Sequence, residues 1–420
     1  MVNKLFAAVV CLVMVSGAFA LEGSVSFDRK GSVARIVKQI SAAAPEAGII
    51  PLPGNPKAAK EWTVMVFVNA KNNLESYGLK DVNEMEMAGS DDNVNIVAEL
   101  GRINGYSTSD GDWKGSRRYL VQKDNNPSVI TSPVVMEIPA SDMGSWQYMV
   151  DFTRWAMTNY PAKKYALVVW NHGSGWNKDR PMIGARGISY DDETGNHITT
   201  AQLRQALAAI GGVNILSMDA CLMQMIEVAY EMKGLAEYIV ASEETEPGDG
   251  YTYDTFLGPL AQNPAMGSAE LSRVMVDAYT DHYQSINQGA TQSSIKVAAL
   301  EQFAALVDGF AAALMNAGDL TVAKNAKAKT QAFYYSNNKD MYHFAKLVSE
   351  ATANAEVAGK AAELMAFIKG SLVHHNRTTG AKYADSYGVA AYMPSSYTAS
   401  YDALLWAQDS KWDDFTKWLK

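Results

Sequence analysis

The sequence predicts an α/β fold with a mostly parallel central sheet and a helix-rich C-terminal portion. Apolar runs at residues 63–68, 165–170 and 213–218 have the composition of buried strands. A helical pattern separates the second run from the third, and helical spacing dominates from about residue 258 to 368. A strand, a helix and a strand in this order form a crossover unit, whose two strands are parallel.

The first run predicts a strand that is buried on both faces of the sheet. It reads Thr-Val-Met-Val-Phe-Val from residue 63, with no charged position, as expected where both faces are covered. Asn72 and Asn73 then begin the turn away from the strand.

The crossover unit brings two reactive side chains together. The second run ends just before His172, and the third run ends just before Cys221. Between them, Thr199 and Gln202 form a capping box that opens a helix over residues 201–210. Because carboxyl ends of neighbouring parallel strands share one edge of a sheet, we expect His172 and Cys221 to meet at that edge.

The first twenty residues have the pattern of an export signal. Lys4 precedes an apolar run over residues 5–15, and Ala18-Phe19-Ala20 is a processing pattern. A membrane anchor would need a run of about 20 apolar residues, which this segment lacks. Residues 21–60, rich in basic residues and ending in a Pro/Gly stretch, predict a pro-segment or linker. The mature protein is therefore expected in a periplasm, on the cell surface or outside the cell.

Net charge and cysteine content limit the possible partners of the protein and the possible roles of its thiol. The net charge is −9, and it becomes −10 when the segment with Lys4 is removed, which argues against nucleic acid or anionic membranes as partners. We also expect no later segment long and apolar enough to anchor the chain in a membrane. Export removes Cys11 and leaves Cys221 as the one cysteine, so an internal disulfide is excluded. A lone thiol in an oxidising compartment is either buried and inert or kept for its reactivity.

Cys221 and His172 have the chemistry of a nucleophile and its acid/base partner. A thiol attacks a carbonyl as thiolate, and the imidazole can take the thiol proton and later protonate the leaving amine. Helical spacing after Cys221 predicts a helix that begins close by and lowers the thiol pKa. Backbone N–H groups of Gly173 and Cys221 are the predicted oxyanion donors.

Other hydrolytic sites are not indicated. The chain has no HExxH or CxxC spacing for zinc, no Walker loop, and no Gly-x-Ser-x-Gly elbow. His172 and Cys221 are 49 positions apart, close to the roughly fifty of the caspase pattern, although the local sequence Asp-Ala-Cys differs from the caspase signature.

Together these residues resemble the clostripain-like cysteine peptidases, relatives of gingipains, legumains and caspases. The resemblance rests on the strand at residues 63–68 with the following Asn-Ala-Lys-Asn-Asn-Leu-Glu, on Asn-His-Gly at 171–173, and on Asp-Ala-Cys at 219–221. A late strand at 387–393 is similar to a return strand of that family. The similarity spans residues 62 to 395.

The resemblance implies a caspase-like α/β/α sandwich and cleavage of peptides or proteins after Arg or Lys. Residues 61–260 would form the catalytic core, and residues 261–420 a helix-rich C-terminal portion. By position in the motif, Asp219 and Asp249 would bind the basic side chain, although Asp249 also suits a solvated loop. A monomer is expected, of two chains after processing.

The resemblance also implies activation by self-cleavage between the catalytic strands. Arg186 in Gly-Ala-Arg-Gly is the expected site, with Lys178 and Arg180 as alternatives. The sequence itself requires no cofactor. Some relatives depend on calcium, so a calcium requirement stays open, without assigned ligands; the acidic run at 191–193 lacks EF-hand spacing.

Two other functions use the same residues. A secreted binding protein could keep the fold without turnover, and a transpeptidase could use the same dyad and pass the acyl group to an amine. The thiol beside the imidazole favours an active peptidase over the binding protein.

Overall fold

The computed structural model describes residues 59–176 and 187–420. The predicted export signal, nearly all of the predicted pro-segment, and the predicted processing sites Lys178, Arg180 and Arg186 lie outside the described residues.

Thirteen strands are described, and nine of them form one central sheet. The strands are β1 (Lys60–Ala70), β2 (Val94–Arg102), β3 (Gly115–Leu120), β4 (Val134–Ile138), β5 (Ala162–Trp170), β6 (Ile188–Asp191), β7 (Asn196–Ile198), β8 (Val213–Asp219), β9 (Ala236–Ala241), β10 (Ala290–Lys296), β11 (Asn338–Asp340), β12 (Val373–Thr379) and β13 (Ala390–Tyr392). The order across the sheet is β12-β10-β9-β8-β5-β1-β2-β3-β4.

Helices connect these strands and fill the C-terminal third of the chain. They are α1 (Glu75–Ala88), α2 (Trp146–Asn159), α3 (Thr200–Ile210), α4 (Ile226–Glu231), α5 (Tyr253–Gln262), α6 (Ser268–Ser285), α7 (Leu300–Ala317), α8 (Leu320–Lys329), α9 (Met341–Ala351), α10 (Ala355–Phe367), α11 (Leu405–Asp409) and α12 (Trp412–Trp418).

The centre of the sheet is parallel, as predicted. Strands β9, β8, β5, β1 and β2 all run in one direction, and antiparallel strands extend the sheet at both sides. β1 is buried from Thr63 to its end, so its apolar run is covered on both faces. β10 and β12, from the predicted helix-rich portion, belong to the same sheet.

Helices cover both faces of the sheet, which gives the predicted α/β/α arrangement. On one face, α1, α5 and α6 form a single apolar core with Val64, Val66 and Val68 of β1. On the other face, Phe67 packs against Tyr148 and Phe152 of α2, with ring centroids 6.2 and 5.8 Å apart. Helices α3 and α4 continue this second layer.

The crossover between β5 and β8 forms as predicted. The Thr199 side chain accepts from the Gln202 N–H, and the Gln202 side chain accepts from the Thr199 N–H, so the capping box is complete at the start of α3. Gly211 ends the helix in a left-handed conformation, with φ of 87°. β5 and β8 are then parallel neighbours.

The late strand differs from the prediction. Only residues Ala390–Tyr392 are extended in a ladder, and they pair with β11 in a separate two-stranded sheet rather than with the central sheet. Ala390 also forms a bridge to Met225, four residues after Cys221. The C-terminal segment therefore supports the loop that carries the predicted nucleophile.

One segment corrects the expectation that no later region could span a membrane. Residues Val297–Ala317 are long and apolar enough, by length and composition, although half of this window is buried in the fold. Within it, α7 directs Phe303, Val307, Phe310 and Leu314 into the interior, as a core helix does.

Candidate active site

The site lies at the carboxyl ends of β5 and β8. Trp170 of β5 is paired with Asp219 of β8, and the Asn171 N–H donates to the Asp219 carbonyl oxygen at 3.2 Å. His172 follows this pairing on one strand and Cys221 follows it on the other. The structure therefore places both predicted catalytic residues at the same edge of the sheet.

Gly173 makes the close contact between the two strand ends. A Cβ atom at this position would lie 2.9 Å from the Ala220 Cβ and 3.1 Å from the Cys221 nitrogen, and it would clash with the Cys221 carbonyl oxygen. Only glycine allows the His172 loop to approach the Cys221 backbone this closely. This proximity brings the Gly173 and Cys221 backbones, the predicted oxyanion donors, together.

Cys221 lies in a turn and not at the start of a helix. Leu222 has a left-handed backbone with φ of 64°, and α4 begins only at Ile226. The helix predicted after Cys221 therefore forms, but it starts at Ile226, so its amino terminus does not lie at the thiol as expected. Residues between Cys221 and the helix bind other segments instead. The Leu222 N–H donates to the Glu244 carbonyl oxygen and the Gln224 N–H to that of Ser242.

The surroundings of Cys221 raise its pKa instead of lowering it. Burial is the main cause, and the carboxylates of Asp219 and Glu244 add to it, while the Glu246 N–H, 3.3 Å from Sγ, opposes it. Burial also lowers the pKa of His172, against the opposing charge of Asp192. Both shifts favour a neutral thiol and a neutral imidazole in the resting site.

His172 also contacts the loop that follows β1. Its Nε2 lies 2.8 Å from Oδ1 of Asn73. His172 is half-buried and Asn73 is exposed. The site thus combines residues from the ends of three adjacent strands, β1, β5 and β8.

Asp219 is buried beside Cys221 among hydrogen-bond donors and other acids. Its Oδ1 accepts from the Tyr251 N–H at 3.2 Å, and its Oδ2 accepts from the Tyr253 hydroxyl at 2.9 Å. Burial raises the pKa of Asp219 to about 6, although hydrogen bonds from Glu246, Tyr253 and Tyr251 oppose the increase. Among the described residues, the main groups acting on this carboxyl include no lysine or arginine.

Two further carboxyls adjoin Asp219. Asp81 accepts from the Trp170 indole N–H at 2.7 Å, and Glu246 is hydrogen-bonded to Asp219. Burial and the Asp219 charge raise the pKa of both groups well above its ordinary value. Within the described part of the chain, Asp81 Oδ1 and Glu246 Oε1 are buried without a hydrogen-bond partner. This group of carboxyls therefore contains acceptor atoms that no described residue uses.

Asp249 lies nearer the surface. Its side chain is 40% exposed, forms an ion pair with Lys80 at 3.5 Å, and is hydrogen-bonded to His282 Nε2 at 3.1 Å. The pKa of Asp249 is lowered because hydrogen bonds from His282 and the Lys80 charge outweigh its burial. This predicted substrate-binding acid therefore already has a lysine and a histidine as partners.

The segments that flank the predicted processing loop are firmly held. Trp176 packs edge-on against Tyr392 and Tyr401, with centroids 4.7 Å apart in both pairs. Gly187 donates its N–H to Ser174 Oγ at 3.1 Å and accepts from the Ser174 N–H at 3.0 Å. Both ends of the connection that contains Arg186 are thus fixed close to the site.

The acidic run at residues 191–193 does not suit calcium. The Lys71 ammonium lies 3.4 Å from Asp191 Oδ2 and also contacts Glu193. Asp191 further accepts the N–H groups of Met143, Glu193 and Thr194. A buried lysine and backbone donors already use these oxygens, so we assign no metal to them.

The sequence-based interpretation missed Asn73, Asp81 and Glu246 as parts of the site. The sequence predicts Asn73 only as part of a turn and gives Glu246 no role. Asp81 lies within α1, where a helical pattern gives no sign that its side chain reaches the end of β5. Long-range contacts, which local spacing does not report, bring these residues to Cys221.

A comparison with known proteins identifies related chains. The sequence model of the clostripain family, peptidase family C11, matches residues 66–418. Clostripain from Hathewaya histolytica is 28% identical over 226 residues, which cover 48% of this chain and 42% of clostripain. The chain thus aligns with less than half of that curated relative.

Solved structures share the fold. A secreted C11 cysteine protease from Bacteroides thetaiotaomicron, in complex with an irreversible peptide inhibitor, has a TM-score of 0.61 at 20% identity, covering 84% of this chain and 99% of that one. An inactive zymogen C11 protease from Parabacteroides distasonis also has a TM-score of 0.61, at 19% identity, with 86% and 99% covered. At these identities the similarity establishes the architecture.

Proposed function

Because the chain belongs to the clostripain family of cysteine peptidases, we propose that it is a secreted cysteine endopeptidase that cleaves after Arg or Lys. The main support is the buried Asp219 carboxylate, which lies two residues before Cys221 and has acids and tyrosines as its main neighbours. A cationic side chain is the ligand that would complement these acids, and none of the main groups acting on Asp219 in the described part of the chain is a lysine or arginine.

The reaction would use Cys221 and His172 as a dyad. His172 takes the thiol proton as Sγ attacks the scissile carbonyl carbon, and the imidazolium then gives that proton to the departing amine. The resulting thioacyl group is hydrolysed by water. Backbone N–H groups of Gly173 and Cys221 would hold the oxyanion that forms at the carbonyl.

The unused acceptors suit a basic side chain in the pocket. Buried oxygen atoms of Asp81 and Glu246 lack a donor within the described part of the chain, and a buried acceptor without a partner costs about 1 to 3 kcal/mol. A guanidinium or ammonium would supply donors and charge to these atoms and to Asp219. Asp249 would bind substrate only if the substrate displaced or joined Lys80 and His282.

We further propose self-cleavage after Arg186, or after Lys178 or Arg180. The fixed positions of Trp176 and Gly187 support this proposal, since a cut between them would leave both new ends attached to the fold. A related protease, that of Parabacteroides distasonis, is described as an inactive zymogen. The enzyme would then act as a monomer of two chains on peptide or protein substrates.

The test compares fluorogenic peptides that differ only in the residue before the reporter: Arg, Lys, citrulline, Asp or Asn. We expect release after Arg and Lys, and loss of release on thiol alkylation and in Cys221→Ala. Asp219→Asn should lower kcat/KM for the Arg peptide about tenfold or more while changing the citrulline peptide far less, because only the former carries the charge. Parallel assays with calcium and with a chelator test the calcium requirement.

Each other outcome has a distinct meaning. Release only after Asp or Asn would keep the dyad and overturn the pocket assignment. An amide product with added amine in place of acid would indicate a transpeptidase, and no release from a folded sample would indicate a binding protein. An active enzyme whose intact mass shows one uncut chain would exclude self-processing.

A further inference from the structure

We propose that Asn73 is a positioning residue that fixes the tautomer and orientation of His172. This inference rests on the proposed function, because it concerns the acid/base partner of Cys221. The observation behind it is the 2.8 Å contact between Asn73 Oδ1 and His172 Nε2. Among the described residues, His172 is the one hydrogen-bond partner of the Asn73 side chain.

The contact determines which imidazole nitrogen carries the proton. An amide carbonyl oxygen can only accept, so the Nε2 of His172 must donate. In a neutral imidazole the other nitrogen, Nδ1, is then unprotonated and can accept. Burial lowers the pKa of His172 and so favours this neutral form. Nδ1 is therefore the atom available to take the Cys221 proton.

The same contact favours the state that follows proton transfer. When Nδ1 has taken the thiol proton, the ring is an imidazolium and both nitrogens are donors. The bond from Nε2–H to Asn73 Oδ1 then becomes charge-assisted and stronger. Asn73 would thus stabilise the protonated ring during the step in which charge develops.

Hydrogen bonds of the preceding residues hold the loops of Asn73 and His172 together. Asn72, which precedes Asn73, and Asn171, which precedes His172, both donate to the carbonyl oxygen of Tyr190, at 2.9 and 3.1 Å. The Asn171 amide also donates to the Asn69 carbonyl oxygen at the end of β1, at 2.5 Å. The two loops therefore share anchors, and within the described part of the chain the Asn73 side chain bonds to the imidazole alone.

Asp192 is the other polar group that acts on His172. Its charge raises the pKa of the ring, in opposition to burial, and its side chain is exposed. Among the described residues, Asn73 accepts a hydrogen bond from the His172 ring, whereas no hydrogen bond joins the ring to Asp192. We therefore assign the orienting role to Asn73. The Asp192→Asn variant, which removes only a charge near the ring, shows the size of a purely electrostatic effect.

The experiment measures kcat, KM and pH profiles of Asn73→Leu and Asn73→Asp with the Arg peptide. Leu removes the acceptor at similar size, and we expect kcat to fall about tenfold to a hundredfold with little change in KM, because general acid/base catalysis depends on ring placement. Asp keeps the acceptor and adds a charge that raises the His172 pKa, so most of kcat should return and the acidic limb of the profile should move to higher pH.

Two controls separate this role from others. Asn263→Leu, at an exposed asparagine outside the site, should leave kcat unchanged, and thermal unfolding of every variant shows whether the fold is kept. Equal kcat in Asn73→Leu and the parent, or equal losses in the Leu and Asp variants without a pH shift, would overturn the proposal.

A direct measurement does not depend on turnover. Imidazole ¹⁵N NMR in the Cys221→Ala protein should show a protonated Nε2 and a bare Nδ1 for His172, and this pattern should be lost in Asn73→Leu. A bare Nε2 in the parent would refute the tautomer even if the enzyme is active. If the expected pattern is seen and no peptide is cleaved, the proposed function fails while the contact stands.

Discussion

The neighbours of Cys221 act on its pKa in opposite directions. The Glu246 N–H stabilises a thiolate, whereas burial and the carboxylates of Asp219 and Glu244 disfavour it. The second set prevails, and His172 is kept neutral by burial. In the resting site the proton therefore stays on sulfur, and its transfer belongs to the step in which substrate binds or reacts.

This balance predicts how alkylation depends on pH. Iodoacetamide reacts with the thiolate, so the inactivation rate should rise close to tenfold for each pH unit between about 6 and 8, because the thiol pKa lies above this window. Asp219→Asn removes a carboxylate that raises the thiol pKa and should increase the rate at pH 7. A rate that stays constant from about pH 5 to 8 would instead show a preformed thiolate and imidazolium pair.

At the scale of elements, local sequence predicts where the strands end but not which distant residues contact those ends. His172 and Cys221 follow apolar runs, and the capping box at Thr199 marks the start of α3, so local sequence was sufficient to place them on one edge. The conformation between Cys221 and the helix was missed because its contacts are distant in sequence: Met225, for example, forms a bridge to Ala390. Asp81 reaches the site for a similar reason, through the packing of α1 against the sheet.

The glycine at the end of the crossover helix allows a test of how much a left-handed backbone contributes to stability, with a helix-interior glycine as the matched control. Gly211 ends α3 with φ of 87°, while Gly359 lies within α10, and a Cβ at either position would meet no atom within 4 Å. Gly211→Ala should therefore destabilise the protein by about 1 to 2 kcal/mol, because a left-handed backbone is unfavourable for alanine. Gly359→Ala should stabilise it by about 0.5 to 1 kcal/mol, since alanine favours a helix interior.

Both variants are compared by urea unfolding in the Cys221→Ala background, where self-cleavage cannot occur. Opposite signs are expected for the two substitutions. Equal effects would mean that the end of α3 does not depend on the left-handed residue.

For the whole molecule, the most important electrostatic feature is the number of buried carboxyls. Among the described residues, burial is the main cause that raises the pKa of Asp81, Glu99, Asp219, Glu227, Glu243, Glu246 and Asp340. A group whose pKa is raised by folding favours the fold while it is protonated. That contribution is present below its unfolded pKa and is lost as the pH rises through its folded pKa.

Glu227 allows this effect to be measured away from the site. Its Oε1 accepts from the Tyr392 N–H at 2.9 Å and the Tyr401 hydroxyl at 2.7 Å, and burial raises its pKa from 4.5 to about 7. Glu227→Gln keeps the acceptor and removes the charge. The variant should exceed its parent in unfolding free energy at pH 8 by on the order of 2 kcal/mol, and the gain should shrink towards pH 5.

The control for this comparison is Glu237→Gln, at an exposed glutamate of β9, which should change stability little at either pH. A gain from Glu227→Gln that is the same at pH 5 and pH 8 would show that the carboxyl does not titrate in this range.

The position of residues 177–186 has a consequence for the molecule after proteolysis. A cut in this connection would leave His172 at the end of β5 on one polypeptide and Cys221 at the end of β8 on the other. The β5–β8 ladder and the contacts of Trp176 with Tyr392 and Tyr401 would join the two pieces. Neither piece would carry a complete dyad, so catalysis would require fragment complementation. Separately produced halves would have to re-form the β5–β8 ladder and the Trp176 contacts before any peptide was cleaved.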